Sequence, residues 1–223
     1  KKKKVIIFSG KLNNAKGFDK FAAAISKILN KYEDWKAIAI GDEPREKYNF
    51  SHKRLTYTGW IPQDKVLNLY NHSSITVAPS LWEEPFGRSS LEAGSRGNAV
   101  IISKRGGLPE TIKEPIFLKK VDTVEIYNEI EKLILDKKLL KKNQLNNFNN
   151  PIHLISNNTK IMDTHRADVI NIKKNVYINL NKKLKILHVY NRAEKIGGRI
   201  YFISTGKKIE NGLIRLGHDV EGI

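Results

Sequence analysis

Short apolar runs alternate along this chain with stretches whose apolar residues recur every three or four positions. The first run, residues 5–9, reads Val-Ile-Ile-Phe-Ser and suits a strand buried on both faces. It ends in Gly10-Lys11-Leu12-Asn13-Asn14-Ala15-Lys16-Gly17, a turn signal. Phe18, Phe21, Ala22, Ile25, Ile28 and Leu29 then follow at helical spacing. Further strands are expected at 35–40, 55–58, 75–78 and 99–102, with a short sixth at 116–118. A short amphipathic helix is expected over 64–71, with Val66, Leu67 and Tyr70 toward the core. Val124, Tyr127, Ile130, Leu133, Ile134 and Leu140 predict one helix over 122–142. The Asn-rich segment 143–150 reads as a loop, and 153–171 as one or two helices of poor periodicity. Strands alternating with helices predict an α/β fold with a doubly wound, mostly parallel sheet.

The pattern restarts at Lys183. Residues 184–190 form a new apolar run, Gly197-Gly198 a new glycine turn, and 201–216 a new helical pattern carried by Phe202, Ile203, Ile209, Leu213 and Leu216. Gly217-His218-Asp219-Val220 ends that helix and begins another strand. This is an incomplete β-α-β, and about 40 residues are too few to bury a core of their own. Two domains are therefore expected, 1–182 and 183–223. Because the chain also opens directly on a strand without Met, it is expected to be a piece of a longer polypeptide.

Composition narrows the picture. In 223 residues, 40% hydrophobic and 28% charged, no apolar run is long enough to span a bilayer, and the lysines at 1–4 precede no signal-type segment. A cytoplasmic protein is expected. The absence of cysteine excludes disulfides, thiolate metal sites and cysteine nucleophiles. Six histidines show no paired metal-ligand spacing. The formal charge of +17 would attract nucleic acid, an anionic membrane or nucleotide diphosphates, or it reflects a general abundance of Lys. Its basic pairs, such as Lys137-Lys138 and Lys173-Lys174, are dispersed and not interleaved with aromatics, so no nucleic-acid partner is expected.

The candidate chemistry gathers in 80–110. Glu84 and Glu92 stand eight apart around Pro85-Phe86-Gly87. If Arg88 opens a helix, Glu84 lies at its mouth and Glu92 about one turn inside. Carboxylates accept paired hydroxyl hydrogen bonds, which suits the vicinal diols of a ribose or hexose; a solvent-facing helix Glu is the plainer alternative. Lys11 and Lys16, inside the first glycine turn, could neutralise a diphosphate or be ordinary surface lysines. The turn matches neither a Walker loop nor Gly-x-Gly-x-x-Gly, so ATP hydrolysis and nicotinamide chemistry lack support. Gly106-Gly107 would permit close backbone approach to a ligand, and Glu110 suits the start of a helix. Trp60 could flank a base or fill a core.

These residues resemble the retaining, two-Rossmann-domain glycosyltransferases of family 4, the GT-B fold. The resemblance spans residues 5–170. It rests on Gly10-Lys11-Leu12 through Lys16-Gly17, on Pro79-Ser80-Leu81-Trp82-Glu83-Glu84-Pro85-Phe86-Gly87 through Glu92, and on Gly106-Gly107-Leu108-Pro109-Glu110. Lys11 stands where Arg is usual, which keeps the charge but loses the bidentate fork. The resemblance implies a Rossmann-like donor domain in which Lys11, Lys16 and Glu84 are the catalytic groups. The two lysines would hold the diphosphate, and Glu84 with the Phe86-Gly87 backbone would address the transferred sugar. Glu92 would take the ribose hydroxyls and Trp60-Ile61 would lie near the base, with Gly10, Leu91 and Gly107 completing the donor contacts.

The second segment looks like the opening of the acceptor-side Rossmann-like domain of another such unit. The implied reaction is sugar transfer with retention from a UDP- or GDP-linked donor to an acceptor hydroxyl, without a metal or other cofactor. Its acceptor would be a saccharide or lipid-linked, in the synthesis of polysaccharide, lipopolysaccharide or glycolipid, with peripheral contact to an anionic membrane on the cytoplasmic face. Two alternatives stand beside it: a sugar-nucleotide epimerase or phosphorylase of similar architecture, and a basic module that binds nucleic acid or membrane.

Overall fold

The computed structural model describes residues 2–46, 48–152, 155–175, 183, 185–188, 193–196, 199–202 and 204–222. The chain divides into two compact units, Lys1–Asn158 and Thr159–Ile223.

The first unit is built on a six-stranded parallel sheet of β1 (Val5–Ser9), β2 (Lys36–Ile40), β3 (Leu55–Tyr57), β4 (Ile75–Ala78), β5 (Ala99–Ile102) and β6 (Ile116–Phe117). Their order is β3-β2-β1-β4-β5-β6. The helices are α1 (Phe18–Lys31), α2 (Gln63–His72), α3 (Arg88–Gly94), α4 (Thr123–Leu135) and α5 (Lys137–Asn149). Alternation along β1 sends Ile6 and Phe8 into one layer, with Phe18, Phe21, Ile25 and Ile28 of α1 and Ile126, Ile130 and Leu133 of α4. Ile7 enters the opposite layer, with Tyr70 of α2, Ala93 of α3 and Leu108 and Ile112 beyond β5. Helices thus cover both faces, and the doubly wound, Rossmann-like arrangement expected above is the observed one. Strand order reverses between β1 and β4, which opens a crevice at the carboxyl ends of those two strands.

Two expectations in this unit fail. Residues 122–142 are not one helix: α4 stops at Leu135, and Asp136 caps α5 by accepting from the Leu139 amide at 2.8 Å. Nor is 143–150 a loop, because α5 continues to Asn149. Its inner face carries buried amides. Gln144 Nε2 donates to the Ser74 carbonyl at 3.0 Å and Asn147 Nδ2 to the Asn98 carbonyl at 2.9 Å. Polar anchors leave no hydrophobic stripe to read.

Helix α6 (Ile155–Asn175) covers most of the expected 153–171 helical region. In the second unit, β7 (Lys185–His188) and β10 (Asp219–Gly222) pair in parallel, and α7 runs Ser204–Arg215. A hairpin of β8 (Ala193–Ile196) and β9 (Arg199–Phe202) was not expected. It corrects the helix start from 201 to 204: Tyr201 and Phe202 belong to β9, in keeping with the strand preference of aromatic and β-branched side chains. The expected Gly197-Gly198 turn and the strand residues 184, 189 and 190 lie outside the described residues. Among the described residues no helix is long and apolar enough to cross a membrane.

Candidate functional site

Two loops meet at the crevice. The one after β1 folds as a 3-10 turn over Asn14–Lys16, capped by Asn13 Oδ1, which accepts from the Lys16 amide at 3.0 Å. The one after β4 lies across it, the Leu81 and Trp82 amides both donating to the Ala15 carbonyl at 2.9 and 3.0 Å. This contact sets the lysine loop against the carboxylate loop. Lys16 Nζ and Glu84 Oε1 are 2.5 Å apart, with side chains 28% and 11% exposed. Ser80 Oγ donates to the same Glu84 oxygen at 2.7 Å. Glu84 Oε1 thus accepts from both Lys16 and Ser80, and carboxylate oxygens are groups that accept hydroxyl hydrogen bonds.

The Gly-Gly turn after β5 holds this loop from the other side. The Gly107 amide donates to the Glu84 carbonyl at 2.7 Å, and the Gly106 amide to Glu83 Oε2 at 2.6 Å. Gly106 has φ +51°, and a Cβ there would stand 2.1 Å from the Glu84 carbonyl oxygen and 2.6 Å from its amide nitrogen. The approach that glycine permits is therefore to the backbone of the Glu84 loop. Arg105 Nη1 donates to Glu83 Oε1 at 2.9 Å and, with the Gly106 amide, holds the Glu83 carboxyl below the usual carboxylate range.

Arg88 opens α3 directly after Gly87, which puts Glu84 at the mouth of the helix and Glu92 one turn inside. Gln63 Nε2, from the first residue of α2, donates to Glu92 Oε1 at 2.8 Å. Beneath them Tyr70 is fully buried; burial raises its phenol pKa, and the Glu92 charge adds a smaller push.

Together these elements line a cleft of about 760 Å³. Lys11, Lys16, Glu84 and Glu92 are on its walls, and so are Gly10, Ile61, Phe86 and Gly87. Trp60 also lines it and is 79% exposed, which removes the core-aromatic alternative. Leu91 instead borders a shallow crevice with Gly94 and Ile112, and Gly107 lies behind the Glu84 loop. Ser9, Ser80, Asp42, Gln63, Arg88 and Ser89 line the cleft without having been singled out from sequence. A signal existed for three of them: Ser9 ends β1, Asp42 lies just past β2 and Ser80 follows β4, the strand ends where this fold binds ligands. Gln63 carries none. Among the described residues no three His, Asp or Glu side chains gather as a metal site would need.

The family profile described as "Glycosyl transferases group 1" matches residues 1–149. The chain belongs to the group 1 glycosyltransferases. It is similar to an uncharacterized glycosyltransferase of Methanocaldococcus jannaschii, 32% identical over 120 residues, covering 51% of this chain and 30% of that protein. Among solved structures it resembles the C-terminal domain of a group 1 glycosyltransferase, LpcC, from Francisella tularensis. There the TM-score is 0.59 at 28% identity, covering 66% of this chain and 84% of that one. HepE from Anabaena, solved in complex with UDP-glucose, shares the fold with a TM-score of 0.62 at 19% identity, over 74% of this chain and 49% of its own. The chain spans 30 to 39% of the length of the first curated relatives it matches. For this group 1 glycosyltransferase, the chemistry its cleft can supply is that of two lysines, two carboxylates and an exposed indole.

Proposed function

We propose that the cleft binds a nucleotide-diphosphate sugar, UDP- or GDP-linked, and that the first domain, 1–182, is the donor half of a retaining glycosyltransferase. The observation that carries this is that Lys16, from the loop after β1, and Glu84 and Glu92, from the stretch after β4, line one cleft at the carboxyl edge of the sheet. Lys11 and Lys16 meet the diphosphate, Glu92 the ribose hydroxyls, Glu84 and the Phe86-Gly87 backbone the sugar, and Trp60 the base. In the transfer, the bond from the anomeric carbon to the phosphate oxygen breaks while the acceptor oxygen bonds to that carbon on the same face. The acceptor proton leaves with the departing phosphate. The lysines stabilise the charge growing on the diphosphate, so the reading invokes no metal. Residues 183–223 are read as the start of the acceptor-side domain of a second unit. The acceptor is a saccharide or a lipid-linked saccharide of a cell-surface polymer, handled at the cytoplasmic face of the membrane.

Calorimetry with a panel of UDP- and GDP-sugars tests this. Binding heat is expected for one of them. Lys16→Ala should lose a charge-assisted bond of about 1.5–3 kcal/mol, weakening binding roughly 10- to 150-fold. Glu92→Ala should weaken it by discarding the ribose contacts. Absence of heat with the whole panel, or unchanged affinity in both variants, overturns the donor-site assignment.

A further inference from the structure

A second recess opens on the same edge of the sheet, between the loops that follow β5 and β6. It measures about 470 Å³ and shares no lining residue with the donor cleft. Its walls are Lys104 and Arg105 from the first loop and Lys119 and Lys120 from the second; Leu81, Phe117, Leu118 and Val121 supply an apolar side. Volume and mixed lining fall in the range of small-molecule sites.

The electrostatics of the recess are one-sided. Among the described residues no carboxylate lines it, and two carboxylates bond to its loops from outside. Glu83 accepts from Arg105 and the Gly106 amide, and Glu125 accepts from the Lys119 backbone amide at 3.1 Å. Lys104 Nζ rests over the Phe117 ring, 4.9 Å from its centroid, a contact that keeps the ammonium beside the apolar wall. Four cations against two occupied carboxylates leave an excess of positive charge in a concave site with an apolar side. Here four cations converge from two loops.

We propose that this recess is a second anion site that takes the phosphate group of a phosphorylated acceptor, its apolar side receiving the sugar or alkyl portion. Lysines bind phosphate as point charges and tolerate several approach geometries. The recess and the donor cleft are separated by one loop: Ser80 and Glu84 face the cleft, Leu81 faces the recess, and Ser103 Oγ secures the partition by donating to the Ser80 carbonyl at 2.7 Å. A phosphate held there lies one loop away from the sugar-addressing carboxylate. The role as acceptor rests on the donor-site proposal; the anion site itself does not.

The test is a titration of the isotopically labelled chain with hexyl phosphate and with inorganic phosphate, following backbone amide shifts, beside UDP calorimetry. Shifts are expected at Lys104, Arg105, Lys119 and Lys120. The double variant Lys104→Ala/Lys119→Ala should remove them, with at least about tenfold weaker binding for each lysine that contacts the phosphate, while UDP binding is unchanged. Shifts confined to residues 10–16, or recess shifts that survive the double variant, overturn the proposal. If the recess responds but UDP gives no heat, the anion site stands and the donor-site proposal falls. Co-sedimentation with phosphatidylglycerol vesicles separates the sources. Vesicle binding that the double variant abolishes supports a lipid-borne phosphate, and hexyl phosphate binding without vesicle binding supports a free phosphorylated acceptor.

Discussion

Replacing Gly106 by alanine should damage a site that Gly106 does not line. Two costs can be separated. A left-handed conformation at φ +51° costs a non-glycine residue about 1–2 kcal/mol. The added Cβ would also stand 2.1 Å from the Glu84 carbonyl oxygen, against 3.4 Å for an ordinary contact, so the loop must retreat by about 1.3 Å. Overpacking of this kind costs about 1–3 kcal/mol more, for a total of about 2–5 kcal/mol. Gly59 is the internal control. Its φ is +65°, and a Cβ built there meets nothing within 4 Å, so Gly59→Ala should bear the conformational cost alone. For a unit of this size each kcal/mol lowers Tm by about 2–4 °C, which predicts a fall of roughly 2–8 °C for Gly59→Ala and 4–20 °C for Gly106→Ala. Thermal melts by circular dichroism measure both. Displacement of Glu84 should also weaken UDP-sugar binding in Gly106→Ala, which calorimetry measures. Equal melting temperatures in the two variants would refute the contact argument.

Two further predictions concern stability. Glu43 is buried and bonded through both oxygens to Arg45, at 2.6 and 2.8 Å, and that guanidinium holds its pKa down to about 2 from 4.5. Its folded-state pKa lies below the unfolded one, so its contribution is complete above pH 4.5 and is lost as pH falls toward 2. Chemical denaturation of Glu43→Gln across that window should show a shallower acid loss than the native chain; an identical slope would remove Glu43 from the account. Asn147→Ala deletes the amide that donates to the buried Asn98 carbonyl and should cost about 1–3 kcal/mol in urea unfolding. A loss below about 0.5 kcal/mol would mean that apolar packing, not this bond, seats α5.

What could be read from the chain follows from what periodicity reports. Apolar spacing tells which residues are buried, so the strand-helix alternation through α4 and the two-layer core were legible from residues such as Ile6, Phe8, Phe18 and Ile126. The glycine turns marked strand ends, and the Glu84 and Glu92 spacing put both carboxylates about the start of α3. Periodicity says nothing of which partner covers a residue. The second half of α5 was missed because its anchors are amides whose acceptors lie 70 and 49 residues away. The antiparallel pair of β8 and β9 was missed although its partners are only three to nine residues apart, because Tyr201 and Phe202 also fit the apolar spacing of the helix that follows.

At the site the division is sharper. Sequence alone determined that lysines, carboxylates and glycine turns would end up on the carboxyl edge of a parallel sheet, because strand ends in such a sheet all face one way. Tertiary structure decided which of them meet. Lys16 and Glu84, 68 residues apart, form an ion pair because β1 and β4 are neighbours at the point where strand order reverses. Gly106 buttresses the Glu84 loop, and four cations converge behind it, because β4, β5 and β6 lie in sequence on that side. Neighbour order in the sheet is a long-range property, and it alone brought these groups to one place.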